Sequence, residues 1–257
     1  EIYRYMDKLH ASQQELVQQV SFTHTRQVLK EGIQAVFYDV TNIYFEIERE
    51  DDLRKAGFSK DGKHKHLQIV LGLLVSRDAY PLAYDIFEGN KYEGDTFLPI
   101  LEGFRHKYRF EKLTVIADAG LLSKRNVEEL GQKGYEFILG ARIKNEKEVI
   151  KKAILKLRLK NGESRIISKD GRHSGGLRLV ITYSEDRAKK DSFNRQRGLK
   201  RLEKQLRSGK LTKSGINNKG YNKFLKMKGD VTLEIDQDKV KQNGRWDGLK
   251  GYLTNSS

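Results

Sequence analysis

Short apolar runs, too brief for helices and separated by helix-like stretches, set the strongest limit on how this chain can fold. AVFYDV (35–40) is β-branched and aromatic, HLQIVLGLLVS (66–76) is longer and mostly apolar, and Tyr80 to Phe87 follows a turn at Arg77-Asp78. Such runs read as strands, the nearly continuous one as a buried strand. Residues 95–108 then carry a helix signature, with Phe97, Ile100, Leu101 and Phe104 at helical spacing and Asp95 or Thr96 as the cap. LTVIAD (113–118) is a strand, Ser123 opens a helix through Leu130, and YEFILGAR (135–142) is a further strand. The order of three strands, helix, strand, helix, strand predicts an α/β fold, a mixed sheet with helices on its faces. A helix over 11–32 precedes it, with Leu16, Val17 and Val20 on one stripe before Gly32.

Beyond Arg142 the texture changes. The spacing predicts a basic helix over 144–161, a β-hairpin over 165–184 around a Gly-rich turn, and a long amphipathic helix over 185–206. Ala188, Phe193, Leu199, Leu202 and Leu206 supply the sparse apolar stripe of that helix. A polar Gly/Asn/Lys segment (208–229), a strand in 230–235 and RWDGLKGYLTN (245–255) complete the chain. The shift is compositional, with no Pro/Gly linker, which predicts an insertion packed on the first unit and not a tethered domain.

Charge follows the same division. Residues 141–257 hold 31 Lys and Arg against 13 Asp and Glu, a balance of +18, while the preceding residues stand at −3. A one-sided excess of this size suits either a solvated basic surface or a polyanion partner, whose condensed counterions each Lys or Arg would release. The absence of Cys excludes a disulfide scaffold, a thiolate zinc site and a thiol nucleophile, and fits a reducing compartment. No apolar run approaches the roughly 20 residues of a membrane helix, and no signal-peptide pattern opens the chain. The chain begins at Glu1 and not Met, so the natural N-terminus is expected upstream.

Two carboxylates stand out. Asp39 lies inside a strand that wants to be buried, where a charge is costly unless paired, hydrogen-bonded or bound to a cation. Asp118 ends the LTVIAD strand, where α/β sheets present residues to ligands. Together they could share hard cations such as Mg²⁺ through oxygen ligands, and two such ions would support phosphodiester cleavage. By spacing alone the simpler reading is that each Asp caps a turn or accepts backbone hydrogen bonds. Weaker candidates have plainer explanations. His64 and His66 alternate in a basic run without a third ligand, EIEREDD (46–52) reads as a solvated face, and Asp85 and Glu88 read as edge or turn residues. Trp246 could stack on a base but reads more simply as a core anchor.

YDVTNIYFE (38–46), GFSKDGKHKHLQIVLGLLVSRDAYPLAYDIFEGN (57–90) and VIADAGLLSKRN (115–126), with YSEDRAKKD (183–191) and RWDGLKGYLTN, together resemble a bacterial insertion-sequence transposase of the DDE class. The similarity is to the branch with a β-rich insertion between the second Asp and the final Glu. It implies an RNase H-like core, with the first Asp on the first strand (Asp39) and the second at the end of the fourth (Asp118), both catalytic and metal-binding. The implied organisation is a helical lead-in (1–34), the first part of the core (35–142), a basic insertion (143–244) and a return strand (245–257). Implied too are two Mg²⁺ or Mn²⁺ ions, transposon-end and target DNA as partners, a homodimer in the active complex, no membrane, and the bacterial cytoplasm. Lys189, Lys190, Arg195, Arg197, Lys200 and Arg201 are expected to grip the DNA backbone.

Members of the class continue past the TN motif into a helix whose Glu is the third ligand, and they carry an N-terminal DNA-binding portion. This chain stops at Ser257, so the expectation is a fragment cut at both ends, without its third carboxylate and with weak or absent catalysis. Asp247 belongs to the WDG motif and is not a substitute. The alternative function is an inert DNA-binding remnant or a domesticated protein of the same descent.

Overall fold

The computed structural model describes residues 13–29, 32–59, 62–63, 65–110, 112–168, 176–209, 211, 217, 220–228 and 232–256. They fall into two units. One holds the described residues through Ala141 with Gly176, Leu177 and Tyr252 to Ser256, and the other holds Arg142 to Ser168 and Arg178 to Gly251.

In the first unit, strands β1 (Ala35–Phe45), β2 (Leu67–Ser76) and β3 (Pro81–Glu88) form an antiparallel meander. Strands β4 (Thr114–Ala117) and β5 (Glu136–Ala141) add in parallel on the other side of β1, giving the order β3-β2-β1-β4-β5. A short turn suffices for the antiparallel β2–β3 pair, whereas parallel neighbours need crossovers. The helices α2 (Phe97–Tyr108) and α3 (Lys124–Gln132) supply them, so the predicted mixed sheet with flanking helices is what forms. Phe97, Leu98, Ile100, Leu101 and Phe104 of α2 are all buried, in one core with Val36, Tyr38 and Val40 of β1 and Val115 of β4.

The helix α1 (Gln13–Val28) lies within the predicted 11–32, but its inward face is not the predicted one. Leu16, Val17 and Val20 are exposed, while Phe22 and Thr25 are buried. Gln14 and Gln18 donate to the carbonyl of Tyr84 on β3, the first strand of the order, so polar side chains satisfy backbone acceptors there. Phe22 stacks on Tyr108 with ring centroids 3.6 Å apart.

The second unit departs further from its sequence reading. The helix predicted over 144–161 is only α4 (Glu148–Lys156), because Leu157 turns to extended backbone. Strands β6 (Ser164–Ser168) and β7 (Arg178–Tyr183) pair as the predicted hairpin, whose turn lies outside the described residues. The helix α5 (Glu185–Arg207) is capped by Ser184, whose side chain accepts from the Arg187 amide. Leu199, Leu202 and Leu206 pack with Phe224 and Leu225, but Phe193, expected on the same stripe, is exposed. The polar segment contains β8 (Leu225–Lys228), which pairs with β9 (Thr232–Ile235). After α6 (Gln237–Gly244), strand β10 (Leu249–Thr254) passes from the second unit to the first at Tyr252. There Asn255 accepts from the Phe137 amide and donates to the Tyr135 carbonyl, each at 2.9 Å, which pins the TN end to the start of β5.

Candidate active site

Asp39 and Asp118 come together through strand register. On β1 the side chains alternate, with Val36, Tyr38 and Val40 buried and Phe37, Asp39 and Thr41 exposed. Tyr38 pairs in parallel with Ala117, the last residue of β4 and also buried. Each aspartate is the next residue after this matched, buried pair: Asp39 lies on β1 and is exposed, and Asp118 is the exposed residue that follows β4.

Backbone amides orient both carboxylates. The Val40 N–H donates to Asp39 Oδ1 at 2.8 Å and the Gly120 N–H to Asp118 Oδ1 at 2.7 Å. Gly120 also keeps space open, since a Cβ there would stand 2.8 Å from Asp118 Oδ1 and 3.5 Å from Glu93 Oε2. Glu93, which reasoning from the sequence did not single out, therefore lies on the Asp118 side, facing Gly120. Glu93 belongs to the 3-10 turn Glu93–Asp95 that precedes α2, and its only sequence signal is an acidic residue just before a helix.

Tyr38, next to Asp39, was also missed. Its hydroxyl lies 2.7 Å from Thr96 Oγ1, and Thr96 in turn donates to the Glu93 carbonyl. Burial holds the Tyr38 phenol well above its ordinary pKa, with the negative charges of Asp85, Glu93 and Asp39 adding to the shift. Thr96, predicted as a possible cap, makes no capping hydrogen bond, because its hydroxyl is committed to this chain of contacts.

Carboxylates of this kind suit a hard divalent cation, because they offer oxygen ligands, and the absence of a Cβ at Gly120 leaves Asp118 Oδ1 uncrowded. Among the described residues, no three His, Cys, Asp or Glu side chains form a metal-ligand group. His64 lies outside the described residues, and Asp85 accepts from the Ile86 amide. Glu88 pairs with Lys55 at 3.0 Å, and Asp51 holds Arg54 and the Leu53 amide, so these acidic residues organise loops and edges.

The basic candidates of α5 divide. Lys189, Lys190, Arg197, Lys200 and Arg201 are exposed. Arg195 is instead turned onto Asp247, and only 14% and 17% of the two side chains are exposed. Trp246 is half-buried on a cavity of about 380 Å³ that Tyr221, Lys144 and Lys223 also line. No helix among the described residues is long and apolar enough to cross a membrane.

Comparison with known proteins places the chain. No curated protein is significantly similar to it. Among solved structures, a piggyBac transposase synaptic complex with hairpin DNA is similar at 14% identity and a TM-score of 0.40, covering 59% of this chain and 31% of that one. A Mos1 transposase paired-end complex with the left transposon end is similar at 10% identity and a TM-score of 0.29, covering 49% of this chain and 42% of that one. The chain thus spans less than half the length of these proteins. Residues 30–243 match the transposase DDE domain, a family that generally uses divalent metal ions. With most of its length within that match, the chain belongs to the DDE-domain transposase family.

Proposed function

We propose that this chain is the catalytic part of a DDE transposase, which cuts DNA at the ends of an insertion sequence and joins them to a target. The observation that carries this reading is the matched placement of Asp39 and Asp118 one residue beyond the Tyr38–Ala117 pair. Asp39 and Asp118 would hold the divalent metal, two Mg²⁺ or Mn²⁺ ions, and backbone amides fix one oxygen of each carboxylate in place. When bound, the metal supplies Lewis-acid activation of the attacking oxygen and neutralises charge on the leaving one. Water would cleave the phosphodiester and free a 3′-hydroxyl, which attacks a target phosphodiester in line, forming the new P–O bond as the target's own 3′-oxygen leaves.

Residues 35–142 form the first part of the core and 1–34 lead into it. Residues 143–244 are the DNA-facing insertion, and 245–257 return to the core. The exposed Lys189, Lys190, Arg197, Lys200 and Arg201 contact phosphates, which position the ends without reading bases. The active complex is a homodimer on paired ends, acting in the bacterial cytoplasm.

The test is Asp39→Asn and Asp118→Asn in the full-length protein, with end-sequence DNA and Mg²⁺. Both variants should lose cleavage and joining while binding DNA with unchanged affinity. Cleavage retained in either variant overturns the assignment, and a wild type that binds DNA without cutting it points to an inert descendant.

A further inference from the structure

The 3-10 turn Glu93–Asp95 is attached to the surroundings of both aspartates, by two separate polar contacts. The first comes from β1. Thr96 Oγ1 lies 2.7 Å from the Glu93 carbonyl, which can only accept, so the threonine hydroxyl donates to it. Tyr38 must then donate its own proton to Thr96 Oγ1, across 2.7 Å. Tyr38 immediately precedes Asp39, and Thr96 is fully buried.

The second contact comes from α3. Asn126, 3% exposed, gives its two Nδ2 hydrogens to the Gly94 carbonyl at 3.1 Å and to the Leu121 carbonyl at 2.9 Å. Ser123 caps the helix on the Asn126 amide, which sets the side chain at the point where it reaches both carbonyls. Leu121 belongs to the loop that follows Asp118, next to Gly120, whose amide orients the Asp118 carboxylate. One buried amide thus ties the turn to the Asp118 loop, and one buried hydroxyl ties the same turn to the strand of Asp39.

We propose that Asn126 is a positioning residue for the metal-binding aspartates: by joining Gly94 to Leu121 it sets the Asp118 loop against the turn that Thr96 anchors beside Asp39. The inference rests on the function proposed above and goes beyond it, because Asn126 acts through the backbone carbonyls that its side chain holds. An aspartate in its place would set a carboxylate against two carbonyl oxygens, which repel it, and the loop would be released. Outer residues that orient metal ligands typically alter metal affinity by about 10- to 100-fold.

The experiment measures Mn²⁺ binding to the full chain by electron paramagnetic resonance, alongside thermal unfolding. Asn126→Asp should raise the Mn²⁺ Kd by about tenfold. Thr96→Val, nearly the same shape without the hydroxyl, frees the turn from its other side and should weaken binding in the same direction. Leu130→Ala is the control, since Leu130 is fully buried on the same helix, and it should lower Tm while leaving the Kd unchanged. Wild-type Mn²⁺ affinity in Asn126→Asp overturns the proposal, as does an equal loss in Leu130→Ala. If Asp118→Asn loses Mn²⁺ and Asn126→Asp keeps it, only the positioning role fails. If the wild type itself binds no Mn²⁺, the metal reading of the aspartates fails and the positioning role with it.

Discussion

Arg195 and Asp247 meet in a two-armed ion pair, Nη1 to Oδ1 and Nη2 to Oδ2, each at 2.5 Å, between α5 and the turn that precedes β10. Its fork geometry satisfies both oxygens, and the aspartate holds the guanidinium pKa above its ordinary value. A mostly buried pair of this kind is costly to break by halves, because the survivor is left as an unpaired charge. Asp247→Ala should therefore destabilise the protein by about 3 kcal/mol in urea unfolding, and Arg195→Met with Asp247→Leu should recover most of that.

The same contact separates Arg195 from its basic neighbours on α5 in any DNA-binding measurement. Lys200→Ala with Arg201→Ala should weaken binding and reduce the slope of log K against log salt by about 2, since each phosphate contact contributes about 0.9. Arg195→Lys should lower stability and leave that slope unchanged. A slope that falls for Arg195→Lys and not for the Lys200/Arg201 variant would reverse the assignment of these residues.

Gly120→Ala tests the space beside Asp118. Its Cβ would stand 2.8 Å from Asp118 Oδ1, so the carboxylate must move. Misplacement of a reacting group by about 1 Å costs on the order of a hundredfold in rate, so DNA cleavage should fall by one to two orders of magnitude. The circular dichroism spectrum should stay that of the wild type.

Gly89→Ala is expected to act on stability. A Cβ there would lie 2.0 Å from the Gln68 carbonyl oxygen and 2.4 Å from that of Lys55, both backbone atoms that cannot swing aside. Overpacking of this kind costs about 1–3 kcal/mol, and the buried Gln68 amide, which donates to the Gly89 carbonyl at 2.7 Å, would be disturbed as well. Thermal unfolding should show a clear drop in Tm, whereas Gly103→Ala, with nothing near its Cβ, should leave Tm unchanged or slightly raised.

Asp51 gives a pH prediction. The side-chain hydrogen bond from Arg54, then the Arg54 backbone amide, hold its carboxyl below the usual carboxylate range. A depressed folded pKa means that the contribution to loop stability is complete above the unfolded value. It is lost as pH falls through the folded one. In an NMR titration the Asp51 carboxyl should titrate below the ordinary aspartate range, and Arg54→Ala should return it to that range.

Much of the first unit could be read from residue order, because strand and helix periods are local properties. The runs at 35–40, 66–76, 113–118 and 135–142 all became strands, and α2 buries each of the four residues that its spacing picks out. Residue order does not fix which face turns inward where a partner decides it. Leu16, Val17 and Val20 look like a core stripe, yet α1 meets β3 through Gln14 and Gln18, which supply hydrogen bonds to a strand carbonyl that apolar side chains could not. Phe193 is exposed for a related reason, since the residues that α5 packs on, Phe224 and Leu225, meet it along Leu199, Leu202 and Leu206.

By itself the sequence determined the order of strands and helices, the basic excess beyond Arg142, and the two aspartates at strand positions. Those follow from side-chain period and charge, which need no knowledge of what lies opposite. Only the tertiary structure decided that Asp39 and Asp118 are neighbours, because parallel pairing of Tyr38 with Ala117 joins residues 79 positions apart. It also decided that Arg195 faces Asp247, and that Thr96 and Asn126 join the Glu93–Asp95 turn to Tyr38 and to the loop after Asp118, since each of those contacts depends on register and packing between distant segments.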